Sequence, residues 1–486
     1  MPEAKQSQTP ILATLGELAN KPHAAFYAPG HKRGQGISQP LAELLGKAVF
    51  QADLPELPEL DNLFAPEGVI AEAQTLAAEA FGAAQTWFLV NGSTCGVMAA
   101  ILATCGDRDK IILPRNIHQS AIAALILSGA TPIFLNPEYD PLNDLTLSIT
   151  PEAVAAALKE HSDTKAVMMV YPTYHGICGD IQAIATLCHE YHIPLLVDEA
   201  HGAHFAFHPE LPISALAAGA DLAVQSTHKM LGAMTQASML HLKSNLIDPQ
   251  KISKALQLLQ STSPSYLLLA SLDAARQQMA LFGEELMSKT LFLANDARKR
   301  LKQIENLAIL SEINQPKSGF QTLDKTRLTV ILNQLNLTGF EADEILHEKL
   351  GVTAELPMQN HLAFIISLGN TAADIDKLIQ GFTTLSKESQ TSKNQPILIP
   401  KFPKNQLAMS PRAAYFANQK SLPIAETIGC VSAETICPYP PGIPVLMPGE
   451  IITKSAIDYL QTIIFSGGKV TGCSDSKLQT LSIVSE

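Results

Sequence analysis

At 486 residues the chain is longer than one hydrophobic core usually organises, so several domains are expected. Hydrophobic residues make up 46% of it and charged residues 16%, which excludes a disordered or fibrous chain. The formal charge of -12 argues against nucleic acid or an anionic membrane as the main partner, because both select for clustered Lys and Arg; a small cationic substrate suits that field, although acidity that only maintains solubility is commoner.

The start MPEAKQSQTP carries no basic region followed by an apolar run, and no later segment has the ~18 uncharged apolar residues of a membrane span, so a cytoplasmic protein is expected. The seven Cys form no CxxC pair and are odd in number, which points to neither a zinc site nor a disulfide framework. No metal is expected.

Gln8 to Leu18 reads as a short helical arm. From Thr86 onward, short apolar runs alternate with helical stretches, the pattern of βα units feeding a mostly parallel sheet. Seven strands are predicted: Thr86 to Val90, Lys110 to Pro114, Thr131 to Leu135, Ala166 to Pro172, Pro194 to Glu199, Asp221 to Ser226 and Ala237 to Leu242. Their near-continuous apolar character fits strands covered on both faces. Helices are predicted between them, among them Pro151 to His161, opened by Thr150 as N-cap with Pro at the first helical position, and Asp180 to Tyr191.

Pro249 to about Ile304 lacks strand alternation and reads as helical, ending in a long connecting helix. A smaller α+β region follows, with strands Leu328 to Asn333 and Leu362 to Leu368 and helices Gly339 to Leu350 and Ala372 to Ser386. The polar run Lys387 to Gln395 then separates a final region, Ile397 to Glu486, rich in Pro and Gly around Cys437 to Gly449. The expected organisation is an arm with interface loops (1–75), a large domain (76–290), a small α+β domain (291–390) and a C-terminal α+β region (391–486).

Ligands of open α/β sheets bind beyond the carboxyl ends of the strands, and three such ends carry an unusual set of polar residues. One strand ends in Asp198, with His201 three residues on. The next ends in Ser226-Thr227-His228-Lys229. The first runs into Asn91-Gly92-Ser93-Thr94, where a helix start with Gly and two hydroxyls can seat a phosphate. Each feature alone has a plainer reading, as N-cap, turn residue or surface lysine. Together they fit pyridoxal phosphate, which needs an amine, a carboxylate for its ring nitrogen and an anion seat.

APGHKRG (Ala28 to Gly34), LDNLFAPEG (Leu60 to Gly68), VNGSTCG (Val90 to Gly96), RNIHQS (Arg115 to Ser120), VDEAHGAHF (Val197 to Phe205), QSTHKML (Gln225 to Leu231) and CPYPPGIPVLMPGE (Cys437 to Glu450) occur in this order. In them the chain resembles the Orn/Lys/Arg decarboxylase family over nearly its whole length. The proline-rich last motif is one that ordinary aminotransferases do not share. The resemblance implies the fold type I of pyridoxal-phosphate enzymes, also called the aspartate-aminotransferase fold, and decarboxylation of a basic amino acid.

Carried over by that resemblance, Lys229 is the Schiff-base lysine, Asp198 the partner of the pyridine nitrogen and His118 the imidazole stacked on the ring. Ser93, Thr94 and Ser226 would hold the phosphate, with His228 assisting. His201 would lie over the ring, and Thr173 could reach its phenolic oxygen. For His118 the plainer alternative is a polar residue at the start of a helix Ile117 to Ser128, and for Thr173 a turn hydroxyl. Lys229 or His118 would reprotonate the substrate carbon. Large inducible members of the family carry an N-terminal response-regulator-like domain that helps build decamers; this chain opens directly on its arm, so a homodimer with the active site at its interface is expected.

A substrate's distal cation needs a carboxylate in a low-dielectric pocket, and Glu434 and Asp61 are the candidates. A guanidinium gains more than an ammonium from a bidentate contact, which favours arginine over lysine or ornithine. The competing readings are an aminotransferase or lyase on the same fold, and a catalytically silent pyridoxal-phosphate-binding regulator of polyamine metabolism.

Overall fold

The near-continuous apolar runs fold as the strands of a seven-stranded sheet. The computed structural model describes residues 2–141, 143–312, 319–389, 402–439 and 442–485. Across the sheet the order is Gln85–Leu89, Ser238–Leu242, Leu222–Gln225, Leu195–Asp198, Thr164–Val170, Lys110–Pro114 and Thr131–Leu135. Ser238–Leu242 is antiparallel to both its neighbours, with Leu240 opposite Trp87 on one side and Val224 on the other. The recorded pairings among the remaining strands are parallel; Ile112, for example, pairs with Ile133 and with Val167. Lys110–Pro114 and Thr131–Leu135 have the predicted bounds, and the others shift by one or two residues at their ends. Every residue of Leu195–Asp198, Leu222–Gln225 and Ser238–Leu242 is buried, as strands covered on both faces require.

The chain divides into two units, Met1–Ala103 with Leu196–Ser288, and Thr104–Leu195 with Lys289–Glu486. In the first, the arm is the helix Pro10–Asn20, two residues later than predicted, with Ile11, Leu15 and Leu18 buried. A buried ion pair fixes it: Asp273 accepts the N–H of Ile11 at 3.0 Å, and the Arg276 guanidinium donates to the carbonyls of Gln6 and Gln8. These bonds satisfy both charges in the interior, where an unpaired one would be costly. Asp273 and Arg276 lie on the 36-residue helix Tyr266–Leu301, the long helix expected from sequence.

In the second unit, Thr150 caps the helix Pro151–Glu160 by accepting the N–H of Ala153, a cap contributing about 1 kcal/mol. The strand Arg327–Ile331 pairs antiparallel with His361–Ile365 in a four-stranded sheet. The helices Gly339–Leu350 and Ala372–Ser389 pack Leu346, Leu378 and Phe382 into its apolar cluster. Of the polar run Lys387 to Gln395, residues 390–395 lie outside the described residues. A separate cluster around the helix Lys454–Phe465 gathers Ile436, Leu446, Leu460 and Leu481. The C-terminal tail supplies the strand Thr480–Val484, antiparallel to Gln419–Pro423.

No helix among the described residues is long and apolar enough to cross a membrane.

Candidate active site

In the first unit, two adjacent parallel strands deliver an acid and an amine at their carboxyl ends. Asp198 closes Leu195–Asp198, and Lys229 lies in the short helix Thr227–Met230 that follows Leu222–Gln225. Asp198 accepts the N–H of Ala200 at 3.2 Å. Burial pushes its carboxyl above the usual range, opposed by attraction to Lys229 and by the Ala200 N–H. A buried carboxylate held this way favours a cationic ring nitrogen as a partner.

Lys229 Nζ lies 3.0 Å from His201 Nε2. His228 Nδ1 lies 3.0 Å from the carbonyl oxygen of Ala237, and its backbone N–H donates to the same oxygen, which ties the lysine turn to the next strand. Ser226 Oγ donates to Ser93 Oγ at 2.7 Å, so the hydroxyls of two separate motifs meet at the start of the helix Gly92–Thr104. Gly92 opens that helix with φ +77°, a conformation glycine adopts without strain. Gln260 accepts the Val90 N–H and Gln236 donates to the Val90 carbonyl, which fixes the loop entering the helix.

Amine, buried acid and paired hydroxyls at a helix start, all within one unit, are the set that pyridoxal phosphate requires, and the residues present fit the group.

In the second unit, His118 is the N-cap of the helix Gln119–Ser128, which starts two residues later than predicted because the imidazole takes the cap. Its Nδ1 accepts the N–H of Ser120 at 3.2 Å, leaving Nε2 for other contacts. Gly442, at φ +79°, passes so near that a Cβ there would stand 3.3 Å from Nε2, and its carbonyl accepts the N–H of Gln119. Thr173 is buried, and its Oγ1 accepts the N–H of Ile177 at 3.1 Å. It therefore serves the turn, whatever else it meets.

A family model described as Orn/Lys/Arg decarboxylase, major domain, matches residues 9–322, and one described as its C-terminal domain matches residues 398–474. The chain belongs to the Orn/Lys/Arg decarboxylase family. It is 40% identical to an arginine decarboxylase of Bacillus subtilis, over 99% of each chain. It is 25% identical to the lysine decarboxylase LdcA of Pseudomonas aeruginosa, over 93% of this chain and 75% of that one. Among solved structures it resembles the Francisella novicida lysine decarboxylase LdcF with a TM-score of 0.85 at 21% identity, covering 99% of this chain and 81% of that one. That likeness shows the fold, type I of the pyridoxal-phosphate enzymes.

Two of the family motifs are joined through Arg115 and Glu450, neither of which has a role assigned from sequence. Arg115 of RNIHQS donates from Nη2 to Glu450 of MPGE at 3.0 Å and from its two Nη atoms to the carbonyls of Pro444 and Val445, with both side chains buried. This pair anchors the proline-rich motif three residues before the His118 cap. Pro440 and Pro441 of that motif lie outside the described residues.

The two carboxylates expected to meet a substrate cation are engaged elsewhere. Glu434 accepts the N–H of Ser474 at 2.7 Å and, through its other oxygen, that of Ser482 at 2.9 Å, and it also accepts the Ser482 hydroxyl. Asp61 accepts five backbone N–H groups, from Asn62, Glu67, Gly68, Ile70 and Ala71. Burial works to raise its carboxyl, and these donors outweigh it, so its pKa lies below the usual carboxylate range. Within the chain, Glu434 clamps the C-terminal tail and Asp61 anchors the start of the helix Val69–Phe81. A carboxylate that already accepts several N–H bonds is poorly placed to meet a cation as well.

Proposed function

We propose that this protein is a pyridoxal-phosphate-dependent decarboxylase that converts arginine to the corresponding amine and CO2. The observation that carries the reading is the convergence of Lys229, Asp198 and the Ser93–Ser226 hydroxyl pair at the carboxyl ends of one set of strands. The full-length match to the Bacillus subtilis arginine decarboxylase supports arginine over lysine and ornithine.

Lys229 would hold the cofactor through its amine. Asp198 would keep the ring nitrogen protonated, and Ser93, Thr94 and Ser226 would bind the phosphate at the helix start, with His228 assisting. Pyridoxal phosphate, when bound, supplies the electron sink for the pair left by the departing carboxylate. His201, in contact with the Lys229 amine, would set the direction of that amine and the proton it carries. The assignment of His118 to the cofactor ring rests on its motif, and that of Thr173 to the phenolic oxygen on its place just past the strand Thr164–Val170. Lys229 or His118 would return a proton to the substrate carbon. A homodimer and the four-part division at residues 75, 290 and 390 belong to the same reading.

The test is CO2 release from arginine, lysine and ornithine by the chain reconstituted with pyridoxal phosphate. Release from arginine at the highest kcat/KM is expected. Transamination without CO2 release would replace this reading by the aminotransferase one.

A further inference from the structure

Inside the second unit lies a cavity of about 200 Å3 whose walls are mostly apolar. Rings of Phe340, Phe402, Tyr439 and Tyr459 line it. A cavity of roughly 150 Å3 lined by apolar side chains holds a benzene ring, so one substituted ring fits here.

The charged groups on the wall are all cationic. Lys404, Lys469 and Arg115 line the cavity, and no carboxylate does among the described residues. Neither lysine is paired with an acid among the described residues. Arg115 is buried with its Nη atoms committed to Pro444, Val445 and Glu450, yet its Nε–H has no acceptor among the described residues. A buried donor without a partner is uncommon and calls for an acceptor. This wall is the wrong sign for a basic amino acid, whose distal cation would face three like charges. With the guanidinium fork already used, one free N–H suits a single carboxylate oxygen better than a phosphate, which needs several donors.

We propose that this cavity is a binding site for a small aromatic monocarboxylate, with the ring held among the aromatic walls and the carboxylate received by Lys404, Lys469 and the Arg115 Nε–H. The site is separate in its chemistry from recognition of the basic substrate, and it stands whether or not arginine is that substrate.

The probes are benzoate and its neutral counterpart benzyl alcohol, titrated by calorimetry into the full chain reconstituted with pyridoxal phosphate, with and without saturating arginine. Benzoate binding is expected, with an affinity unchanged by arginine. The double variant Lys404→Gln, Lys469→Gln replaces two exposed side chains, so its melting temperature should match the wild type. It should bind benzoate at least about tenfold more weakly, because both lysine contacts to the carboxylate are lost, and benzyl alcohol as before. No benzoate binding, displacement of benzoate by arginine, or an equal affinity in the double variant would each overturn the proposal.

Discussion

The Lys229 amine and the His201 imidazole meet at 3.0 Å, each delivered by the turn after one of two adjacent parallel strands. The lysine is thus oriented by a neighbour that can accept or return a proton. The Lys229→Ala variant is expected to lose all turnover and the visible absorbance of the reconstituted protein, because no other amine in the motif can replace it. His201→Phe keeps a flat ring, slightly larger than imidazole, and removes the proton acceptor. It should still take up the cofactor, with kcat reduced about a hundredfold, the usual scale of one proton-transfer group. Absorbance spectra and steady-state kinetics check both; wild-type kcat in His201→Phe would reduce His201 to a packing residue.

Asp198 offers a second test, because burial already disfavours its charge. Asp198→Asn keeps a hydrogen-bond acceptor but removes the negative charge that favours a protonated ring nitrogen. Turnover should fall by at least about a hundredfold, within the range of losses on deleting one electrostatic stabiliser, while cofactor affinity changes far less. Decarboxylation rate and cofactor titration, measured on the same preparation, separate the two effects.

The strands and the lysine turn could be read directly from the chain because their signals are local: unbroken apolar runs, and a lysine four residues past a strand end. The contacts around His118 were not legible, since they need Gly442, more than 300 residues away, to close on the imidazole. The interior also holds a buried network invisible in any local pattern. Thr86 and Gln225 meet the two ring nitrogens of His241, and Gln225 donates to Glu199, whose carboxyl burial pushes up to about 8. The hydrogen bonds made by Glu434 and Asp61 were not legible for a related reason. A carboxylate beside a motif looks available until the backbone donors that fill it, some of them 40 and 48 residues on, are placed.

For Glu434 the expectation from its geometry is stability rather than substrate recognition. In Glu434→Gln one carboxylate oxygen becomes an NH2 facing the N–H of Ser474 or Ser482, and the tail strand should lose about 1–3 kcal/mol, the cost of an unmet donor. The melting temperature should drop and KM for arginine stay constant. A raised KM at unchanged melting temperature would return Glu434 to the substrate.

Acid sensitivity follows from three histidines that burial holds neutral. His241 is pushed down to about 3, and His175 to about 4 by burial and the nearby Arg327 charge. His361, whose Nε2 lies 2.8 Å from that of His175, is held well below its usual value by burial and by that neighbour. Between the folded and unfolded pKa values a histidine of this kind binds fewer protons folded than unfolded, so stability rises with pH across that window and is lost on acidification. The window opens near 6.5, the unfolded value, and extends down to about 4 for His175 and about 3 for His241. At about pH 5 His175 and His241 each cost roughly 2 kcal/mol relative to pH 7. The melting temperature should therefore fall steeply below about pH 6.5, before ordinary carboxylates titrate. His241→Gln keeps an amide that can bond Thr86 and Gln225 but cannot ionise, so its melting temperature should be lower at neutral pH and decline less on acidification. Melting curves from about pH 7.5 to 4.5 on both proteins read the difference, and parallel declines would show that His241 carries none of the acid sensitivity.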